Sequence, residues 1–309
     1  MTAPSSFQWP LDVLVALTFT DDLEAEGFGL SPEDRHLIEQ AISYAQWTKA
    51  KLTLLHVIEE DDKALPEAGG TLHGRLLPKI KLALDEVVAQ AAARGVEARR
   101  QADIGEAWSR ILAAVKLGEH DMVLVGPREQ GWFEKLTHGD TTRKLLRKCP
   151  VPVWVEPPQT PVRVSRVLVP VDFSPLSARA IEIAEAFHAL TGAERFALHC
   201  PDYPNDIALH RMPEGIQKIE DYHAAINAEA LDKLNAALGE GHEGWRRLIG
   251  PLPIAESLTP VVKTHGIDLV IMGTNARSGL MGLLLGNTAE KILDNLEAPV
   301  LVFKPEGRS

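Results

Sequence analysis

The sequence holds only two cysteines, Cys149 and Cys200, in 309 residues. Two isolated thiols offer neither a disulfide framework nor the paired spacing of a zinc site, so a reducing compartment is expected. Positive charge is also scarce. With 32 Lys and Arg against 43 Asp and Glu, and a net charge of −11, a broad phosphate-backbone footprint is not expected, and neither is a nucleic-acid partner. No apolar run approaches the roughly 20 residues needed to span a bilayer. The opening MTAPSSFQWP has no basic segment followed by an apolar one, so no signal peptide is read there and a cytoplasmic location is expected. The Gly-x4-Gly-Lys-Ser/Thr P-loop, the His-Glu-x2-His zinc motif and the Gly-x-Ser-x-Gly nucleophile elbow are all missing.

What is present suits soluble globular structure: 45% apolar and 24% charged residues. The length fits two domains of about 150 residues each. An internal repeat supports that division. Asp121-Met-Val-Leu-Val-Gly126 resembles Asp268-Leu-Val-Ile-Met-Gly273, 147 positions on. At the same offset Gly139-Asp-Thr141 falls on Gly286-Asn-Thr288, and Pro152-Val-Trp-Val155 on Pro299-Val-Leu-Val302. Val13-Leu-Val-Ala-Leu17 matches Val167-Leu-Val-Pro-Val171 at an offset of 154, and Leu55-His56 is echoed by Leu198-His199. The first copy carries extra residues around Asp21–Gly27, which read as a loop insertion. Glu156-Pro-Pro-Gln-Thr-Pro161 reads as an extended linker, which sets the domains at 1–156 and 157–309.

Short β-branched runs alternate with helical segments in each copy, the pattern of a parallel sheet covered by helices. Strands are expected near 12–17, 51–57, 96–101, 121–126 and 152–155, then near 165–171, 194–199, 245–249, 268–272 and 299–303. Ser31-Pro32 and Ser174-Pro175 each pair an N-cap serine with proline at the first helical position. In the helix after Ser174, Ala180, Ile181, Ala184 and Phe187 share a face that should bury.

In a doubly wound sheet, ligands sit in the crevice outside the carboxyl ends of the strands, where the winding reverses. In the second copy the residues there run from Gly273 through Ala276, Arg277 and Gly282 to Gly286-Asn287-Thr288, followed by a helix. Glycines let backbone amides approach a phosphate, and a helix start near Asn287 would add N–H groups and the positive end of its dipole. Asp172, ending the first strand, would face this loop with a carboxylate able to accept hydrogen bonds from a ribose or base. A tight strand-to-helix turn explains the same glycines without a ligand.

At these residues the sequence resembles the universal stress protein family, whose ATP-binding members carry Gly-x2-Gly-x9-Gly-Ser/Thr after the fourth strand. The likeness extends over nearly the whole chain, and the tandem copies with Leu285-Gly-Asn-Thr-Ala-Glu290 resemble the E-type branch. The resemblance implies two α/β domains in tandem, each a doubly wound parallel sheet of five strands in the order 3-2-1-4-5, akin to the adenine-nucleotide alpha-hydrolases. It implies ATP or another adenine nucleotide in the second copy, with Mg accompanying it. Pro170, Val171 and Asp172 would hold the nucleoside, Cys200 would lie beside the base, and Met272, Gly273, Ala276, Gly286, Asn287 and Thr288 would hold phosphate. Ala276 departs from the expected glycine, and Asn287 from Ser or Thr. The two halves would pack as an internal pseudo-dimer through their fifth strands, and a further homodimer would be open to them.

The first copy departs further. Glu129 takes the second-glycine place, Asp140 the Ser/Thr place, and Thr18 stands where the second copy has Asp172. Unit like charges about 4 Å apart repel by roughly 4 kcal/mol at an effective dielectric near 20, enough to cancel a helix-terminus contribution, so no nucleotide is expected here. Asp140 reads as a helix N-cap; alternatively Asp140 and Glu129 pair with basic groups of the other half, or with Arg128 and Arg143 nearby. Trp132 and Phe133 read as a pocket cap, a subunit contact or local packing.

Gly239-Glu-Gly241-His-Glu-Gly244 matches a dinucleotide pattern but should follow a helix and precede a strand, the wrong context. His56 and His199, at equivalent strand ends, read as packed structural histidines, since no nucleophile or orienting acid accompanies them. Three functional readings follow: a stress-response protein binding a small ligand in its second half; a scaffold acting through protein contacts or binding an apolar ligand; and an ATPase. The last requires a positioned base and a metal, which Asp172 alone does not supply.

Overall fold

The computed structural model describes residues 7–19, 29–59, 72–126, 141–158, 160–206, 215–239, 242–274, 291–292, 296 and 298–305. The chain divides into two compact units, one built on Gln8–Arg163 together with the last strand, the other on Val164–Thr274. The first runs β1 (Asp12–Leu17), α1 (Pro32–Thr48), β2 (Lys51–Ile58), α2 (Leu72–Ala93), β3 (Ala98–Ile104), α3 (Ala107–Gly118), β4 (Met122–Val125), α4 (Thr141–Lys148) and β5 (Val153–Val155). The second runs β6 (Arg166–Pro170), α5 (Pro175–Thr191), β7 (Glu194–His199), α6 (Gly215–Leu238), β8 (Trp245–Ile249), α7 (Ile254–His265) and β9 (Leu269–Gly273). Strand β10 (Val300–Phe303) closes the order.

In the first unit the parallel strands stand in the order β3-β2-β1-β4-β5, and β10 adds to β5 antiparallel, with Leu301 opposite Trp154. The second unit holds β9-β6-β7-β8, again parallel and in the same order read from its first strand. Strands buried on both faces need continuous apolar runs, and Val13-Leu14-Val15, Met122-Val123-Leu124 and Val167-Leu168-Val169 supply them, each residue at most 1% exposed.

The repeat holds at the level of register. Val13 pairs with Met122 and with Leu52; Val167, its counterpart, pairs with Leu269 and with Arg195, which are the counterparts of Met122 and Leu52. Leu52 in turn pairs with Ala98, and Arg195 with Trp245, in matching positions. One carboxylate fixes the start of each first strand. Asp121 accepts from Leu11 N and Asp12 N at 3.0 Å each, and Asp268 accepts from Ser165 N and Arg166 N at 3.0 and 2.8 Å. Charge-assisted bonds of this kind contribute roughly 1.5–3 kcal/mol each.

Both anticipated helix starts are present. Ser31 Oγ accepts from Asp34 N at 3.0 Å and Ser174 Oγ from Ser177 N at 3.2 Å, each with proline in the first turn. Ala180, Ile181, Ala184 and Phe187 are all buried. The helix ends differ between copies. α5 and α7 end on Gly192 and Gly266 at φ 75° and 59°, whereas the equivalent residues after α1 and α3 are Lys49 and Glu119, held at φ 65° and 53°. An L side chain in that region costs about 1–2 kcal/mol.

The expected boundaries hold except at β3, which runs from Ala98 to Ile104 and was anticipated near 96–101. Gly95, at φ 74°, and the bond from Val96 N to Ala91 O spend residues 95–97 on closing α2, and pairing with the full length of β2 then carries the strand to Ile104. The linker forms no regular element among its described residues, but its first residue, Glu156, is buried. Its carboxylate takes Trp154 Nε1 at 2.8 Å, faces His36 Nε2 at 3.0 Å and accepts from Thr160 Oγ1. Gly239 follows a helix and Gly244 precedes a strand, so the dinucleotide pattern sits in the wrong setting, as expected. The insertion at Asp21–Gly27 lies outside the described residues; at its base Phe19 and Leu30 form an antiparallel bridge. No helix among the described residues is long and apolar enough to cross a membrane.

Candidate functional site

Because β6, β7 and β9 are parallel neighbours, their carboxyl ends deliver Pro170, Val171 and Asp172, then Cys200, then Met272 and Gly273 to one edge of the second unit's sheet. Ala276, Gly286, Asn287 and Thr288 lie outside the described residues, as do Leu280, Met281 and Leu283 to Leu285.

Asp172 is held as an anion. Partial desolvation works against its charge, but hydrogen bonds from Ser174, whose N lies 3.0 Å from Oδ1, and from Ser177 outweigh it and keep the carboxyl below its usual range. Cys200 is pushed the other way: burial raises its thiol, and bonds with Ser257 and Gly250 only partly offset this. A Cβ on Gly250 would lie 2.5 Å from Cys200 Sγ, so the glycine lets the end of β8 close on that sulfur.

Beside Asp172, Phe173 occupies the left-handed region at φ 61°, a strained conformation for a bulky side chain. Its ring is 41% exposed and packs on His199, centroids 4.4 Å apart. His199 Nδ1 lies 2.7 Å from Val171 O, and a carbonyl only accepts, so Nδ1 carries the proton. The first copy repeats the clasp with His56 Nδ1 3.0 Å from Leu17 O and Phe19 edge-on to the ring. Both histidines tie the second strand to the end of the first, the structural role favoured by the sequence.

Gly273 has a packing explanation. A Cβ there would lie 2.7 Å from Leu176 Cβ, so α5 can rest on the end of β9 only because the side chain is absent. At Gly126, its counterpart, the nearest atom would be Leu37 Cδ2 at 3.7 Å, an ordinary contact.

The first copy holds a cleft of about 170 Å³ at the equivalent strand ends. Leu17, Leu55, Val57, Ile111 and Val125 make its apolar wall; Thr18, Glu59, Thr141 and Thr142 are its polar groups, and Gly126 closes one side. Below Thr18 lies Asp34, 2% exposed, whose Oδ1 takes Thr18 N at 2.8 Å and whose Oδ2 takes Ser31 Oγ at 3.0 Å. Burial outweighs those bonds and pushes its pKa up to about 6. Glu129, Trp132, Phe133 and Asp140 lie outside the described residues. The sequence reading missed this cleft and the burial of Asp34; the one signal was the acidic pair Glu33-Asp34 directly after Ser31-Pro32, in a helix start already read as a cap.

Among the described residues no group of three His, Cys, Asp or Glu gathers that could hold a metal ion.

A model of the universal stress protein family matches residues 27–157 and again 163–304. Universal stress protein E of Escherichia coli is 30% identical over 218 residues, 64% of this chain and 65% of that protein, so the alignment spans just under two thirds of the relative's length. A universal stress protein of Mycobacterium tuberculosis is 26% identical over 202 residues, 60% of this chain and 62% of the relative. Among solved structures, a universal stress protein from Archaeoglobus fulgidus superposes with a TM-score of 0.67 at 20% identity, covering 97% of this chain and 100% of that one. Two family matches laid end to end over a repeated strand register leave one assignment: this chain belongs to the universal stress protein family and carries its domain in tandem.

Proposed function

We infer that the chain is a stress-response protein that binds an adenine nucleotide, ATP foremost, in its second copy, while the first copy has lost that chemistry. The observation that carries this reading is Asp172, an ionised, solvent-exposed carboxylate at the strand end where the winding of the sheet reverses. A carboxylate there can accept from a ribose hydroxyl or a base amine. Pro170, Val171 and Cys200 would complete the nucleoside end, and Met272, Gly273, Ala276, Gly286, Asn287 and Thr288 the phosphate end. In the first copy Thr18 takes the place of Asp172 and no Lys, Arg or His lines the cleft among the described residues. Two free thiols fit action in the cytoplasm.

Ligands released from the purified chain and identified by mass spectrometry test the reading. An adenine nucleotide recovered from the wild type and lost from Asp172→Ala supports it; its recovery from both moves the site elsewhere. A second reading, a scaffold working through protein contacts, draws on Gly273, whose missing side chain is accounted for by Leu176. It requires that no nucleotide be recovered from either protein.

A further inference from the structure

The cleft of the first copy stands apart from the nucleotide reading in size, lining and charge. We propose that it binds a small uncharged molecule with an apolar body, a different class of ligand from the one in the second copy.

Size suits a ligand smaller than a nucleotide. At about 170 Å³ the cleft is smaller than the roughly 300–1,000 Å³ of sites for drug-sized ligands, and close to the roughly 150 Å³ of an engineered apolar cavity that takes benzene. A single ring or a branched chain of similar bulk fits. The wall of Leu17, Leu55, Val57, Ile111 and Val125 favours such a body, since removing apolar surface from water contributes about 25 cal/mol per Å².

Charge disfavours an anion. Glu59 lines the cleft, Asp34 lies behind Thr18, and no basic side chain lines it among the described residues. A cation is drawn by Glu59 but meets the positive end of the α4 dipole at Thr141 and Thr142, which offsets part of that attraction. Thr18 turns its N–H, and at 3.5 Å its hydroxyl, toward Asp34. The remaining polar groups suit a hydroxyl, carbonyl or ring N–H on an otherwise apolar ligand.

Methyl-labelled full-length protein, titrated by NMR with indole, cyclohexanol, benzoate and ATP, tests the proposal. Indole or cyclohexanol should shift the methyls of Leu17, Ile111 and Val125 saturably, with benzoate at least tenfold weaker. Ile111→Trp should abolish those shifts. Glu59→Lys, at an exposed position, should bring benzoate to within about threefold of indole, a gain that a misfolded protein would not give. The proposal fails if both neutral probes leave these methyls unmoved up to their solubility, if benzoate binds the wild type as tightly as indole, or if Glu59→Lys leaves benzoate unchanged. It also fails if folded Ile111→Trp binds indole undiminished. The Glu59→Lys and Ile111→Trp outcomes turn on first-copy residues alone, so they are distinguishable from the fate of the nucleotide reading, which Asp172→Ala tests.

Discussion

Thr18 donates its backbone N–H to Asp34 Oδ1 at 2.8 Å, and that bond marks where the two copies part. The repeat aligns Thr18 with Asp172 and Asp34 with Ser177. The carboxylate and the hydroxyl have changed places: the second copy puts its acid on the strand end and its hydroxyl on the helix, the first copy the reverse. One acid therefore stands exposed where a ligand can reach it, and the other is sealed beneath the cleft.

These two acids should act on stability with opposite sign. Asp34 titrates near 6 in the folded protein against an ordinary 3.8, so the folded state holds the proton longer. Stability from this group is full below about pH 4 and falls as pH rises to about 6, by up to about 3 kcal/mol. Asp34→Asn, compared with wild type by urea unfolding, should gain relative stability between pH 4.5 and 7. An equal difference at both pH values contradicts the burial of this acid. Asp172, held below the usual range, acts the other way: its contribution is present at neutral pH and lost only as pH falls below the ordinary carboxylate range.

Glycine at 273 and glycine at 126 should not be equivalent. Gly273→Ala forces a methyl into Leu176 and should cost about 1–3 kcal/mol, whereas Gly126→Ala should cost under about 0.5 kcal/mol. Chemical unfolding midpoints separate the two, and equal losses would contradict the packing described at β9.

The left-handed helix ends offer a stabilising test. Lys49 and Glu119 are exposed and stand where the second copy uses Gly192 and Gly266. Lys49→Gly and Glu119→Gly should each raise stability by up to about 1 kcal/mol, less what the looser unfolded chain takes back. A loss on calorimetric melting would contradict the φ values at these ends.

Removing the carboxylate that starts either first strand should cost more than a surface change. Asp268→Ala leaves two part-buried backbone N–H groups without their acceptor, about 2–4 kcal/mol by the usual cost of such groups, whereas Asp121→Ala should cost less, because water can reach Leu11 N and Asp12 N. Hydrogen exchange at residues 11, 12, 165 and 166 reports the loss directly; unchanged protection would contradict the clamp.

Much of this fold is legible in the sequence because local signals agree with it. Ser-Pro at 31 and 174 marks two helix starts, the apolar runs mark buried strands, and the offsets of 147 and 154 carry one register into both copies. What escapes is set by tertiary contact. Asp34 reads as an ordinary acidic residue in a helix's first turn, and its burial, with Thr18 N on its carboxylate, shows only once β1 packs against α1. Gly273 reads as part of a phosphate loop, and only Leu176 shows that packing demands it. The cleft beside Thr18 escapes because its chemistry was judged by the charges a phosphate would meet, and not by the space left between Leu17, Ile111 and Val125.

Calorimetric titration with ATP of the wild type, Asp172→Ala and Thr18→Val tests the division of labour most directly. The account expects one site per chain, weakened at least tenfold by Asp172→Ala and unchanged by Thr18→Val. Two sites per chain, none, or a loss that follows Thr18 instead of Asp172 would contradict it.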